Sequence, residues 1–445
     1  MTKAKKGCLW AVAAAALAAG IGLSVFAAVY QSVQFGEDGK TLVKYRTFFR
    51  KSYTIPVGVT TIGDEAFAEC ESLTRVTIPN SVTSIGYGAF RYCENLTSVT
   101  IPQGVKSIGN FAFDGCENLT TVTIPDSVTN IGYGAFAYCG VTSVTIPDSV
   151  TNIGYATFSY CIRLKDITIP VGVTIIGDGA FSQCWRLERV TIPDGVTSIE
   201  DRAFSDCHNL ESITIPDGVE SIGDFAFAEC KYLTNITIPD SVKRIGEGAF
   251  YKCKGLTSIT IPDGITSIEP FAFCECDGLT SITLPGSVTS IEREAFSHCH
   301  ELKEITLPDS LTGIGIGAFS ESGLERVTIP DGVTSIGDYA FAYCSIEEIT
   351  IPGTVVSIGE EAFSGCEGLA NVTISDGVTE IGEKAFHWCG LTNVTIPDSV
   401  KRIGDFAFSI CSDLENVSLP RGVKLGEGVF DDCPKVKITY RTEAK

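Results

Sequence analysis

Ile124-Pro-Asp-Ser-Val-Thr-Asn-Ile-Gly-Tyr-Gly-Ala-Phe-Ala-Tyr-Cys139, followed by the tail Gly140-Val-Thr-Ser-Val-Thr145, decides the fold, because everything after residue 54 repeats it. Counted from one Ile/Leu-Pro to the next, with Ile-Ser standing in at 374, units begin at 55, 78, 101, 124, 146, 169, 192, 215, 238, 261, 284, 307, 329, 351, 374, 396 and 419. That makes seventeen units of 22 or 23 residues. A fixed period in this range signals a solenoid and overrides the length rule that would divide the chain into about three globular domains. The expectation is one elongated array.

The apolar positions translate the unit into local structure. In Leu96-Thr-Ser-Val-Thr-Ile101, Val99 and Ile101 point one way and Thr100 the other, the alternation of a strand with one buried face. Pro followed by Asp-Gly or Asp-Ser, as in Pro193-Asp-Gly, supplies the fixed φ and side-chain hydrogen bonding of a tight turn. A shorter apolar pair follows, such as Val82 and Ile85. Ala89-Phe90 to Cys93 then has the spacing of a single helical turn, with Phe as bulky filler and Cys as a small one. The four 22-residue units lose their residue just after this point, as in Cys139-Gly140-Val141 and Cys389-Gly390-Leu391, which places a loop there. One unit buries about seven large side chains at roughly 1.5 to 3 kcal/mol each and must order its whole backbone at roughly 1 to 2 kcal/mol per residue, so it folds only by stacking on neighbours.

The run Leu-x-x-Val-x-Ile-Pro-x-x-Val-x-x-Ile-Gly-x-x-Ala-Phe-x-x-Cys resembles the BspA-type leucine-rich repeat. The resemblance extends over residues 55 to about 441. It implies an α/β-type leucine-rich repeat solenoid, with parallel strands stacked in a curved array and short helical turns between them. It also implies a secreted or surface-displayed protein, similar to adhesins that bind matrix proteins or other cells. Function carried by a fold is analogy.

The chain holds 54 acidic and 33 basic residues for a net charge of -21, spread along the repeats, which argues against nucleic-acid binding. Residues 1–30 differ from the rest: Lys3, Lys5 and Lys6 precede an almost wholly apolar run from Cys8 to Tyr30. This reads as an export signal, either a cleaved signal peptide ending near Val25-Phe-Ala27 or an uncleaved anchor through residues 8–30. Cys8 lies at the start of the apolar run, the wrong end for a lipidated Cys. Residues 31–54 read as a β-hairpin cap turning at Gly36-Glu-Asp-Gly39, residues 55–441 as the solenoid and residues 442–445 as a tail.

Eighteen cysteines in an exported chain suggest disulfides, but sixteen of them share one repeat position and read as buried free thiols. Cys274-Glu-Cys276 and His298-Cys299-His300, in neighbouring units, offer a zinc-type ligand set whose spacing fits no metal motif, so no metal or other cofactor is expected. Catalytic signatures are absent, and an enzyme is not expected. The outward column of Thr before each Ile, from Thr54 to Thr395, raises lattice binding as in ice recognition, but Thr is also the best polar strand former. Candidate partner-binding residues are those that break the Thr/Ser default of the strand face: Lys165, Asp166, Glu188 and Arg189, followed by Glu211, and then Lys303, Glu304, Glu325, Arg326, Glu347 and Glu348. In-register stacking sets Lys165 beside Glu188, Asp166 beside Arg189, Lys303 beside Glu325 and Glu304 beside Arg326. These positions read either as cross-rung ion pairs or as a partner site with surplus acid. The expected function is an exported scaffold for a protein partner, with a structural spacer or envelope component as the alternative.

Overall fold

The computed structural model describes residues 32–46 and 50–441. Contacts divide the chain into two compact units, with the boundary between Val173 and Thr174. The apolar segment of residues 1–30 and the tail 442–445 lie outside the described residues.

The first unit opens with an antiparallel hairpin, Ser32–Phe35 against Thr41–Arg46, whose register shifts between Gln34 and Phe35. Its turn is closed by Gly39 at φ 63 and by the Asp38 carboxylate, which accepts the Lys40 and Thr41 amides at 2.9 and 3.1 Å. Thr41–Arg46 then pairs in parallel with Thr61–Ile62, so the hairpin covers the edge of the array's own sheet. From there each repeat contributes two strands, except the one beginning at Ile146, whose second position is a single bridging residue, Ile153. The expected tail strand is one, as in Ser98–Thr100, which pairs Ser98, Val99 and Thr100 with Thr121, Val122 and Thr123 of the next repeat. The second is a two-residue strand at the shorter apolar pair, such as Ser84–Ile85, in register with Ser107–Ile108 and, through it, Asn130–Ile131.

The second unit repeats the plan. Its tail strands include Glu348–Ile351 paired residue for residue with Asn371–Ile374. Eight of its two-residue strands, from Ser267–Ile268 to Lys424–Leu425, form one parallel sheet. Register is fixed because a one-residue slip would turn the buried Val and Ile outward.

The expected helical turns are not there: no helix occurs among the described residues. In every repeat the residue two before the column Phe and the residue before the thiol position have left-handed φ, as at Glu65 (51) and Glu69 (61) or Phe225 (54) and Glu229 (58). The amides between them alternate in direction. Ala66, Ala68 and Cys70 donate within the repeat to Gly63, Glu65 and Phe67, whereas Glu65, Phe67 and Glu69 donate to Tyr87, Ala89 and Arg91 of the next. A helix would spend every amide along its own axis and leave none for the neighbouring rung. The alternating turns spend one in two on stacking.

Between the layers lies the core. Its centre is a column of Phe rings; in the first unit Phe90, Phe113 and Phe136 stack at 5.1 and 5.3 Å with planes 3° and 1° apart. Nearly parallel planes at that centroid spacing describe offset stacking, the arrangement the ring quadrupole favours. The cysteines form a second column. Cys93, Cys116 and Cys139 donate their thiols to the carbonyls of Phe67, Phe90 and Phe113, each in the preceding repeat, at 3.1 to 3.2 Å. All seventeen described cysteines are free and buried. Burial pushes the Cys161 thiol up to about 12, so its thiolate is scarce at neutral pH.

Candidate functional site

The sequence-predicted charged positions sit at the start of the tail strands, where all are exposed but the half-buried Asp166, Glu188 and Glu325. In the first unit, Lys165 and Asp166 lead into the strand Asp166–Thr168, which pairs with Ser143–Thr145. Glu188 and Arg189 belong to the second unit, at the start of Arg189–Thr191. The unit boundary therefore divides this patch, and none of its four residues is without an interaction partner.

The other patch lies wholly in the second unit and has the expected register, with Glu304 opposite Arg326 and Ile305 opposite Val327. Arg326 Nη2 is 3.3 Å from Glu304 Oε2, and Lys303 Nζ is 3.9 Å from Glu325 Oε1. Here four charges neutralise one another. Arg326 and Glu304 are 73% and 70% exposed, so solvent screens the pair, which contributes at most about 1 kcal/mol.

Glu347 and Glu348, one rung further on, are exposed and have no ion-pair partner among the described residues. They line a concavity of about 730 Å³ with Glu367, Tyr343 and Asn371. Its shape follows from chain length. The repeat beginning at Ile329 is one residue short between Cys344 and Ile346, while the next keeps the full loop Cys366-Glu-Gly-Leu369, so a short loop lies beside a long one. The sequence marked both the deletion and the acidic pair; that they coincide in one notch comes only from the fold.

Cys274, Cys276, His298 and His300 do not assemble as a ligand set. Both thiols are buried, and Cys276 donates to the Phe250 carbonyl at 3.1 Å. The imidazoles face outward, His298 toward Glu321 at 3.3 Å and His300 toward Asp277 at 2.8 Å. Sequence reasoning missed a different group: Asp206, His208 and Glu229, whose ligand atoms all lie within 4.8 Å of one another. Its signal was Asp-Cys-His in one repeat beside Glu-Cys-Lys in the next.

The two parallel strand columns, the turn layer and the Phe and Cys columns define a leucine-rich-repeat solenoid. A family model for the BspA type leucine rich repeat region (6 copies) matches residues 45–165, 129–253, 220–347 and 334–444. The chain belongs to this family. It is similar to a leucine-rich repeat protein from Bacteroides ovatus, with 26% identity, 92% of this chain and 98% of that chain covered, and a TM-score of 0.52. It also resembles a leucine rich cell surface protein from Faecalibacterium prausnitzii, with 29% identity over 92% of this chain and 93% of that chain and a TM-score of 0.36. No curated protein matches the chain by sequence.

Proposed function

We propose that this protein is an exported scaffold, displayed at the cell surface, that binds a protein partner through a basic segment seated at Glu347 and Glu348. The carrying observation is the unneutralised acidic pair in a concavity beside rungs whose charges are already paired. A rigid strand face presents such variable groups without paying to order them on binding. Export is supported by Lys3, Lys5 and Lys6 ahead of the apolar run from Cys8 to Tyr30, and by the cell-surface description of the F. prausnitzii relative. No catalytic role is part of this reading. The test is capture from surface and matrix proteins, comparing the natural chain with the double variant Glu347→Gln, Glu348→Gln. The reading expects capture that weakens with salt and is lost in the variant; undiminished, salt-independent capture by the variant overturns it.

The structural-spacer reading has one observation in its favour: the Arg326–Glu304 and Lys303–Glu325 pairs tie neighbouring rungs and need no ligand. It predicts no saturable capture by either chain.

A further inference from the structure

In the second unit the residues that flank the buried thiols come to the surface, and at one place they gather three side chains that ligate metals. Asp206 and Glu229 hold the same repeat position in neighbouring rungs, immediately before Cys207 and Cys230, both at φ 58. Their amides are fixed by stacking, Asp206 on the Ala228 carbonyl at 2.7 Å and Glu229 on that of Tyr251 at 2.6 Å. His208, on the far side of Cys207, brings Nε2 to 3.7 Å from Asp206 Oδ1 and 4.0 Å from Glu229 Oε2.

Three details point to a ligand. The His208 Nε2 atom is buried yet has no hydrogen-bond partner, an arrangement that costs free energy unless something fills it. Ser205 Oγ donates to Asp206 Oδ2 at 2.9 Å, which occupies that oxygen and leaves Oδ1 facing the imidazole. The Trp185 ring stacks on His208, with centroids 6.2 Å and planes 10° apart, and keeps the imidazole aimed. An ion about 2.0 to 2.2 Å from each of three ligands holds them roughly 3 to 3.6 Å apart, so small rotations of the two carboxylates close the set.

We propose that Asp206, His208 and Glu229 form a binding site for a divalent transition-metal ion of the zinc class. One imidazole and two carboxylates suit zinc, whereas calcium and magnesium select all-oxygen sets. Lys231 is the built-in competitor: its ammonium lies 3.3 Å from Glu229 Oε2 and must swing into solvent when the ion enters. The ion ties two consecutive rungs, so it stabilises the folded array by mass action.

The test titrates the metal-stripped full chain with Zn²⁺ alone by isothermal calorimetry, with Co²⁺ absorption as a second readout. One equivalent is expected to bind with a Kd in the micromolar range, and His208→Gln to weaken it at least about tenfold. Lys231→Met, which removes the competing cation, tightens it, and His300→Gln leaves it unchanged. The Co²⁺ spectrum shows nitrogen and oxygen ligation without a thiolate charge-transfer band. The proposal is overturned by binding no tighter than about 1 mM, by a titration that His208→Gln or Lys231→Met leaves unaltered, or by a thiolate band.

Discussion

Phe204→Ala tests how far one rung can relax. Phe204 is fully buried, with Phe181 and Phe227 each 5.5 Å away on either side. A buried Phe→Ala change costs about 3 to 5 kcal/mol, the spread reflecting how well the site collapses. Collapse is opposed here from both ends. The Phe204 amide bonds to the Ala226 carbonyl at 2.8 Å, and the Phe204 carbonyl accepts the Cys207 amide and the Cys230 thiol, both at 3.3 Å. Rungs pinned by these bonds cannot close over the missing ring, and two ring contacts of about 0.5 to 1.5 kcal/mol each are lost. The cost therefore belongs near 5 kcal/mol. Phe430, the last ring, has one stacked neighbour, Phe408 at 5.8 Å, and is partly exposed. Phe430→Ala should cost about half as much or less. Urea unfolding of both variants, followed by circular dichroism, gives the comparison. Equal costs, or a Phe204→Ala cost under about 2 kcal/mol, would refute the pinned-rung argument.

Ile410 is the β-branched residue at a left-handed position, φ 56, and is 38% exposed. Ile410→Gly should raise stability by about 1 kcal/mol in a thermal melt, since it relieves the strain and keeps the amide bonded to Asp431; a fall in melting temperature contradicts this. Burial lowers the pKa of His387, whose Nδ1 is 2.7 Å from Ser409 Oγ. A base with a depressed folded-state pKa contributes stability above its unfolded value of about 6.5 that is lost as pH falls through the folded value. His387→Gln should therefore flatten the pH dependence of the melting temperature below about pH 6.5, and an unchanged slope excludes His387 as a contributor. Arg326→Glu breaks a screened pair, so it should change unfolding free energy by at most about 1 kcal/mol; a larger loss would show the pair to be more than a surface contact.

The repeat made the fold legible because a period of 22 or 23 residues leaves a solenoid as the way to bury the same face seventeen times. Val99 and Ile101, Leu96 and Phe90 are all buried as their spacing required. The turn layer was misread for a physical reason. Ala-Phe-x-x-Cys has helical spacing, but the left-handed residues beside it carry no common side chain: Glu65, Gly88, Phe111 and Arg202 share one conformation. What they share is a backbone bond to the next rung, which composition does not encode. The Glu304–Arg326 and Lys303–Glu325 pairs followed from the repeat register, whereas the notch at Glu347 needed the neighbouring loop lengths in three dimensions, and the Asp206–His208–Glu229 group needed side-chain directions at positions that vary freely between repeats.

The most direct measurement of the in-register stack is a thiol count by mass spectrometry, with alkylation of the purified protein before and after denaturation in the absence of reductant. Because the column thiols are buried and bond to carbonyls of the preceding rung, as Cys253 does to Phe227 at 3.1 Å, the native protein should resist the reagent. After denaturation all seventeen described cysteines should be alkylated. Native labelling throughout the column, or disulfides linking half or more of it, would contradict the stack.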